Sequence, residues 1–338
     1  MATVAAESKP TAVSRVNRFD SPWFNPKLVI GIIVLVLVGL LAMVCNVNLA
    51  AFTMGEDEKL LIDLCLSTLL IVGLLLAAFT ASSVLSKEIE NKTVLTVVSK
   101  PVTRAAVIVG KFLGVAVALG VGYYILTLAC LLAVRHKPQM GMGRGEIYDG
   151  PVLTFSLLFG LLALLTAGLL NYLYRRPFPS TLTACLAGML TIAVGICSIL
   201  ARDWWLQGPL TDYNPQLMYA IGMVFLAILV LSAAAIAAST RVNQVITLLI
   251  CCGVFLFGLV SEFFLGRSLA EGASPLVRLL APLYVAVPNL QVFWAADALS
   301  QGHAITPEYF ASVAAYAAVL ITALLSLAVL LFQRRDVG

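Results

Sequence analysis

The chain has 338 residues, of which 61% are hydrophobic and 11% are charged, and its mean hydropathy is +1.01. Soluble globular proteins are about 45–50% apolar and about 25% charged, so this composition excludes an ordinary water-soluble fold and predicts an integral membrane protein. The formal net charge of +4 is modest and the basic residues lie at the ends of apolar runs, so no nucleic-acid partner is expected.

The first 27 residues are predicted to form a cytoplasmic N-terminal segment. They carry Phe19, Trp23 and Phe24 among polar residues, which suits an element at the membrane interface. The apolar run that follows, residues 28–47, is longer than the core of a signal peptide and has no small-residue cleavage site after it. We therefore expect a retained first transmembrane helix.

Eight apolar runs are long enough to cross a bilayer as helices, because lipid leaves no other way to satisfy the backbone. They are residues 28–50, 61–85, 105–134, 152–174, 180–201, 216–238, 243–264 and 309–332. A ninth stretch, residues 275–296, is interrupted by Arg278, Pro282 and Pro288 and predicts short interfacial or re-entrant helices on the outer side. The predicted fold class is an all-α polytopic membrane protein with about eight transmembrane helices.

The distribution of lysine and arginine predicts the orientation. With the N terminus inside, the inner segments hold 14 of the 21 basic residues and the outer segments hold seven. An excess of basic residues marks the cytoplasmic side of membrane proteins. Both termini, including the short tail 333–338, are therefore expected in the cytoplasm.

The inner segment after the second run, residues 87–111, mixes charge with apolar residues. Glu88 and Glu90 stand among lysines, and valines and a leucine follow them. Pro101 is expected to end a short helix there, and Thr103 to cap the next transmembrane helix. The local pattern suits either a docking surface for a soluble partner or a plain basic loop on the cytoplasmic side.

The same segment resembles the cytoplasmic segment of the ABC-2 type transporter permeases, the membrane subunits of a class of ATP-driven transporters. The matching residues are Glu88, Glu90, Thr93, Pro101, Val102, Thr103, Arg104, Gly110 and Lys111. Residues 227–258 and 287–299 are similar to later parts of that family, so the resemblance covers most of the chain. The family core has six spans, and residues 152–201 are interpreted as an extra hairpin within the permease domain 28–332.

The resemblance implies a division of labour between subunits. Segment 86–104 would be the coupling segment that contacts cytosolic ABC ATPase subunits, which hold ATP and Mg. The residues implied in coupling are Lys87, Glu88, Glu90, Lys92, Thr93, Pro101, Arg104 and Lys111. It further implies a second permease copy or a paralogue, surrounding membrane lipid, export, an outer re-entrant region at about 265–305, and the inner membrane of a prokaryote.

No enzyme motif is recognisable in the sequence. Gly110-Lys111 lacks the remaining residues of a phosphate-binding loop, so we expect no enzymatic activity and no cofactor in this chain. His136, Met140 and Met142 form a loose set of soft ligands that could suit Cu(I), but an ordinary flexible loop is the favoured interpretation, so no metal site is predicted. The alternative functions are a channel or ion-coupled carrier without an ATPase, and a membrane scaffold that does not transport. The substrate is not indicated.

Overall fold

The computed structural model describes residues 26–50, 57–90, 103–136, 139–140, 146–147, 149–261 and 288–333. Its helices are α1 (Pro26–Ala50), α2 (Asp57–Glu90), α3 (Arg104–His136), α4 (Gly150–Tyr174), α5 (Phe178–Ile199), α6 (Pro215–Ser239), α7 (Gln244–Ser261), α8 (Ala296–Ser300) and α9 (Pro307–Gln333). Two short strands, β1 (Gln139–Met140) and β2 (Glu146–Ile147), pair in antiparallel register, and Gln291–Phe293 forms a 3-10 helix.

Seven of the described helices are long and apolar enough to cross a membrane: α1 to α6 and α9. The prediction of an all-helical, multi-pass membrane protein is therefore confirmed. The predicted count of eight is not confirmed, because the apolar part of α7 within the described residues covers Gln244–Val260. At 1.5 Å per residue this part is about 26 Å long, which is shorter than a hydrocarbon core of about 30 Å.

Several helix ends follow from local sequence. Asp149 precedes α4 and accepts a hydrogen bond on Oδ1 from the Val152 amide at 3.1 Å, which is an N-cap. Asn214 caps α6 in the same way through the Gln216 amide at 2.9 Å. At the other end of α4, Arg175 adopts a left-handed conformation (φ 50°) and closes the helix.

Helix α6 is the centre of the bundle, because 78% of the residues in its most apolar stretch are buried. It packs against α2, α7 and α9, and its second half is dominated by alanine and serine, which let neighbouring backbones approach closely. Helices α2 and α3 are 61% and 56% buried by the same measure, whereas α1 is 22% buried and α4 and α9 are each 17% buried. The weakly buried helices therefore form the rim of the described bundle.

Helices α4 and α5 form a hairpin joined by residues 175–177, at the position predicted for the extra pair of spans. Helix α5 packs against α3 and α1, and α4 makes fewer contacts, with α3, so the hairpin contacts the bundle mainly through α5. The Tyr124 and Thr191 hydroxyls share a hydrogen bond of 2.8 Å between α3 and α5. Helix α4 packs mainly on α5 and presents most of its apolar surface outward.

The bundle has two ends, and side-chain hydrogen bonds connect neighbouring helices at one of them. Asn46, near the end of α1, donates to Thr68, in the first half of α2, at 2.8 Å, and the Ile305 amide donates to Gln216 at the start of α6 at 2.8 Å. We call this end, where α1 ends and α6 and α9 begin, the distal end. The opposite end, where α1 begins and α2 ends, is the proximal end.

Part of the predicted outer re-entrant region lies within the described residues. Residues 288–306 hold the 3-10 helix and α8 at the distal end, and residues 262–287 lie outside the described part. The Leu290 amide donates to the Gly258 carbonyl at 3.0 Å, and the Asn289 amide donates to the Tyr316 hydroxyl at 3.1 Å. This segment is therefore fixed to both α7 and α9.

Candidate functional site

The coupling residues implied by the sequence lie at the proximal end as far as the structure describes them. The last turn of α2 contains Lys87, Glu88 and Glu90. The helix therefore continues beyond the end of the apolar run at residue 85. Arg104 is the first residue of α3, and Lys111 lies two turns further on with a partly buried side chain. Lys92, Thr93 and Pro101 lie outside the described residues.

Thr103 directly precedes α3 and caps it, as the sequence predicted. Its hydroxyl accepts a hydrogen bond from the Ala106 amide at 3.3 Å, and its carbonyl accepts one from the Val107 amide at 3.3 Å. A threonine in this position satisfies amides that have no partner in the first turn of a helix. These two hydrogen bonds of Thr103 therefore fix Arg104 as the first residue of α3.

The two helices that flank the coupling segment both enter the core. Helix α2 packs along α6 and also contacts α1, α3 and α7. Gly73 is a point of close approach, because a Cβ atom there would lie 2.1 Å from Cδ1 of Ile228 on α6. A displacement at the proximal end of α2 would therefore be transmitted to the most buried helix.

Among the described residues in the proximal half of this core, the fully buried polar side chains are all serines and threonines. Ser83 of α2 donates to its own helix at the Thr80 carbonyl (3.0 Å), and Ser239 of α6 donates to the Ile236 carbonyl (2.9 Å). Thr240 follows the same pattern with the Ala237 carbonyl at 2.7 Å. These small hydroxyl-bearing side chains favour close packing of the helices.

The described residues hold a second polar site, at the distal end, that the sequence analysis did not predict. We call it the distal charge cluster; it consists of Arg135, Asp149, Arg202 and Asp212. Arg135 and Asp149 are almost fully buried, with 1% and 0% of their side chains exposed, and Arg135 Nε lies 3.3 Å from Asp149 Oδ2. Arg135 Nη2 also lies 3.5 Å from Asp212 Oδ2.

Each member of the cluster joins separate parts of the chain. Arg135, in the last turn of α3, also donates to the Leu200 carbonyl directly after α5. Arg202 lies 3.8 Å from Asp149 Oδ2 through Nε and donates through Nη2 to the Arg135 carbonyl at 2.9 Å. The cluster therefore connects the end of α3, the start of α4 and the loop between α5 and α6.

Tyr213 lies beside the cluster in the same loop. The Arg135 guanidinium carbon is 6.0 Å from the centre of its ring, which is within cation–π range. Burial raises the pKa of Tyr213 to about 12, and the neighbouring Arg135 charge opposes that rise. The phenol is therefore neutral over the whole physiological pH range.

The loop 200–214 is held by its own backbone in an unusual conformation. Leu200 and Leu206 form an antiparallel bridge, and the Gln207 amide donates to the Ile199 carbonyl at 2.8 Å. Trp204 and Leu210 have φ values of 64° and 62°, which large side chains rarely adopt. The contacts to Arg135 and the backbone bridge together stabilise this arrangement.

The cluster is suited to holding helix ends together by ion pairs, and in this sense we call it a clamp. Two arginines face two aspartates, so the charges balance, and Gln207 donates to Asp212 Oδ2 at 2.7 Å. Recognising the cluster would have required knowing that residues 14 to 77 positions apart along the chain meet at one end of the bundle.

The loose set of soft ligands in the sequence does not come together as a described metal site. His136 is buried beside Asp149, Met140 belongs to β1, and Met142 lies outside the described residues. Among the residues that the structure describes, no group of three or more histidine, cysteine or acidic side chains is placed to hold a metal ion.

Comparison with known proteins gives no match for this chain: no protein-family model, curated protein or solved structure resembles it at a significant level.

Proposed function

We propose that this protein is the permease subunit of an ATP-driven ABC-2 type transporter, that it forms the translocation path, and that it exports its substrate. The observation that carries the proposal is the motif of residues 87–111, which lies between two long apolar helices. In the described part, Glu88 and Glu90 end one of them, and Arg104 begins the other behind the Thr103 cap. Two acids at the end of one helix, followed by a basic residue at the capped start of the next, support a role of this segment in docking a partner protein.

The proposed mechanism uses the packing of α2 and α3. Two cytosolic ATPase subunits would bind ATP and Mg and move segment 87–104 when they close on each other. Because α2 packs along α6 and α3 packs on α2, that movement would reach the centre of the bundle. A packed element with two arrangements, biased by contacts with a partner, is the physical basis of such coupling.

The distal charge cluster supports this mechanism at the other end of the bundle. Because Arg135 of α3 binds Asp149 of α4 and the Leu200 carbonyl after α5, these three helix ends would move together. A tilt of α3 would then carry the α4–α5 hairpin with it. The added hairpin would thus follow the core without its own contact to the ATPase.

The proposal includes the membrane arrangement. The proximal end faces the cytoplasm of a prokaryote at its inner membrane, with both termini inside. Helix α7 serves as the eighth crossing, six spans form an ABC-2-like core, and α4 and α5 are the extra hairpin. A second permease copy or a paralogue completes the membrane part.

Affinity purification of the tagged protein from mild detergent, followed by mass spectrometry, tests the proposal. An ABC ATPase is expected with the parent protein and is expected to be lost from the Glu88→Ala/Glu90→Ala variant. The matched control is Glu56→Ala/Glu58→Ala, which removes two acids of the same spacing next to the opposite end of α2.

Three outcomes would count against the proposal in different ways. If no nucleotide-binding protein accompanies any variant, the channel or carrier alternative replaces it. If the control variant loses the ATPase as well, residues 88 and 90 have no specific role in docking. If the ATPase binds but reconstituted vesicles never transport, the scaffold alternative replaces it.

A further inference from the structure

An apolar crevice lies between α1, α3 and α5, on the side of the bundle where the hairpin joins it. Its volume is about 40 Å³, and its walls include Ile32, Val36, Val121, Leu182 and Leu186. Thr183 is the one hydroxyl residue of the lining, and its hydroxyl donates to the Pro179 carbonyl at 3.0 Å. The described lining residues therefore offer no free polar group, and the crevice suits a short stretch of a hydrocarbon chain.

The crevice reaches the proximal part of α5. Leu182 is the fifth residue of that helix, so it lies about 6 Å along the axis from the first residue, Phe178. Arg175 and Arg176 form the tip of the hairpin and are separated from this helix by Pro177 alone. An apolar crevice and a basic tip therefore share the proximal edge of the same helix.

The tip is fixed in position by hydrogen bonds. The Asn171 side chain donates to the Arg176 carbonyl at 2.6 Å, and Arg175 closes α4 with φ 50°. Both arginines are exposed, and neither has an ion-pair partner among the described residues. Tyr172 and Tyr174, which precede them at the end of α4, are 83% and 70% exposed, and exposed tyrosines are typical of the membrane interface.

We propose that this edge of the hairpin binds an anionic phospholipid, with the phosphate on Arg175 and Arg176 and part of one acyl chain lying in the crevice. Two adjacent unpaired guanidinium groups attract the headgroup charge and donate to phosphate oxygens. A chain running from that headgroup toward the bilayer centre meets the crevice one to two helical turns away. The site lies between the added hairpin and the core, so the lipid would occupy the gap between them.

The test is native mass spectrometry of the full chain released from nanodiscs that contain phosphatidylglycerol or phosphatidylcholine with identical chains. The parent is expected to retain phosphatidylglycerol in preference to phosphatidylcholine. Arg175→Gln/Arg176→Gln is expected to weaken that retention about fivefold for each arginine removed. Arg241→Gln, which removes an exposed arginine from the α6–α7 turn at the same end, is expected to leave it unchanged.

The acyl-chain contact has its own pair of variants. Val121 is 41% exposed and lines the crevice, so Val121→Trp fills its mouth without displacing buried side chains and is expected to reduce retention. Val117, 69% exposed one turn earlier on α3, lies outside the crevice, and Val117→Trp is the control. All four variants change exposed or partly exposed positions, so elution as a monodisperse peak is expected for each.

Several results would overturn the inference. Equal retention of the two lipids, or retention that survives the loss of both arginines, would show that the tip does not select the headgroup. Displacement of the lipid by chain-free glycerol 3-phosphate at equal concentration would show that only the anion is bound. A change of oligomeric mass in Val121→Trp with unchanged lipid retention would assign the crevice to a second copy of the chain. The inference does not depend on an ATPase partner.

Discussion

Arg135 Nε and Asp149 Oδ2 lie 3.3 Å apart, both side chains are almost fully buried, and 14 positions separate them in the sequence. The pair joins the end of α3 to the start of α4 across the short β1–β2 connection. Asp149 uses its second oxygen to cap α4 at the Val152 amide. One carboxylate therefore both fixes a helix start and compensates a buried cation.

Asp149→Asn separates these two roles, because an asparagine still caps the helix but carries no charge. Breaking a buried ion pair on one side leaves the other charge uncompensated and costs about 3–5 kcal/mol. We expect the free energy of unfolding in a denaturing-detergent titration to fall by about 3 kcal/mol. Asp203→Asn, an exposed acid in the neighbouring loop, is the control and is expected to change it by less than about 0.5 kcal/mol. Equal effects of the two variants would contradict the clamp.

Tyr213 gives the cluster a pH dependence at alkaline pH. Its pKa is about 12 in the folded protein, against an ordinary value of 10.0, so the folded state favours the neutral phenol. The contribution of this preference to stability is complete below pH 10 and is lost as the pH rises toward 12. In melting curves recorded at a series of pH values, the parent is expected to lose more stability across this interval than Tyr213→Phe. Tyr172→Phe, which removes an exposed hydroxyl, controls for the loss of a tyrosine; identical curves for the parent and Tyr213→Phe would refute the assignment.

The helices could be predicted from the sequence because hydropathy is a local property. The predicted runs 152–174 and 180–201 differ from α4 and α5 by two residues or fewer at each end. Helix α2 extends to Glu90, beyond the predicted end of its run at residue 85, because polar residues continue a helix outside the hydrocarbon region. Helix α7 begins at Gln244, close to the predicted residue 243, and is described as far as Ser261, whereas the predicted residues 262–264 lie outside the described part.

The distal charge cluster could not be predicted in the same way. Arg135 and Asp149 follow and precede apolar runs, where basic and acidic residues ordinarily face the headgroups and water. Their burial depends on the loop 200–214 covering them, and the hydropathy of the sequence carries no information on that loop's conformation. The residues of the coupling segment were chosen by family resemblance, and their role remains a prediction.

Gly258 marks the close contact between α7 and the segment that follows at the distal end. A Cβ atom there would lie 2.8 Å from the Pro288 carbonyl oxygen, and a backbone atom cannot move aside as a side chain can. We expect Gly258→Ala to lower the free energy of unfolding by about 1–3 kcal/mol.

Gly253, on the same helix, is the control because a Cβ atom there meets nothing within 4 Å. Gly253→Ala is expected to leave stability unchanged or to raise it by up to about 1 kcal/mol, since alanine is the better helix former. If the two alanine variants have equal stability, the close contact between the Pro288 carbonyl and Gly258 of α7 is contradicted.

Residues at opposite ends of the hairpin test the proposed orientation. Trp205 is 78% exposed at the distal end, and Arg175 lies exposed at the proximal tip. In a cysteine-free background, Trp205→Cys is expected to react with a membrane-impermeant maleimide on intact cells. Arg175→Cys is expected to react only after the membrane is permeabilised, and the reverse pattern would invert the orientation.

Site-specific photocrosslinking from the coupling segment tests the central claim most directly. A benzoylphenylalanine introduced at Thr93 is expected to form an adduct with an ABC ATPase, identified by mass spectrometry, and the yield is expected to change when ATP is added. The same probe at Trp205, on the distal loop, is expected to give no such adduct. If the Thr93 probe captures no nucleotide-binding protein while the parent is at its normal level in the membrane, coupling through this segment is wrong.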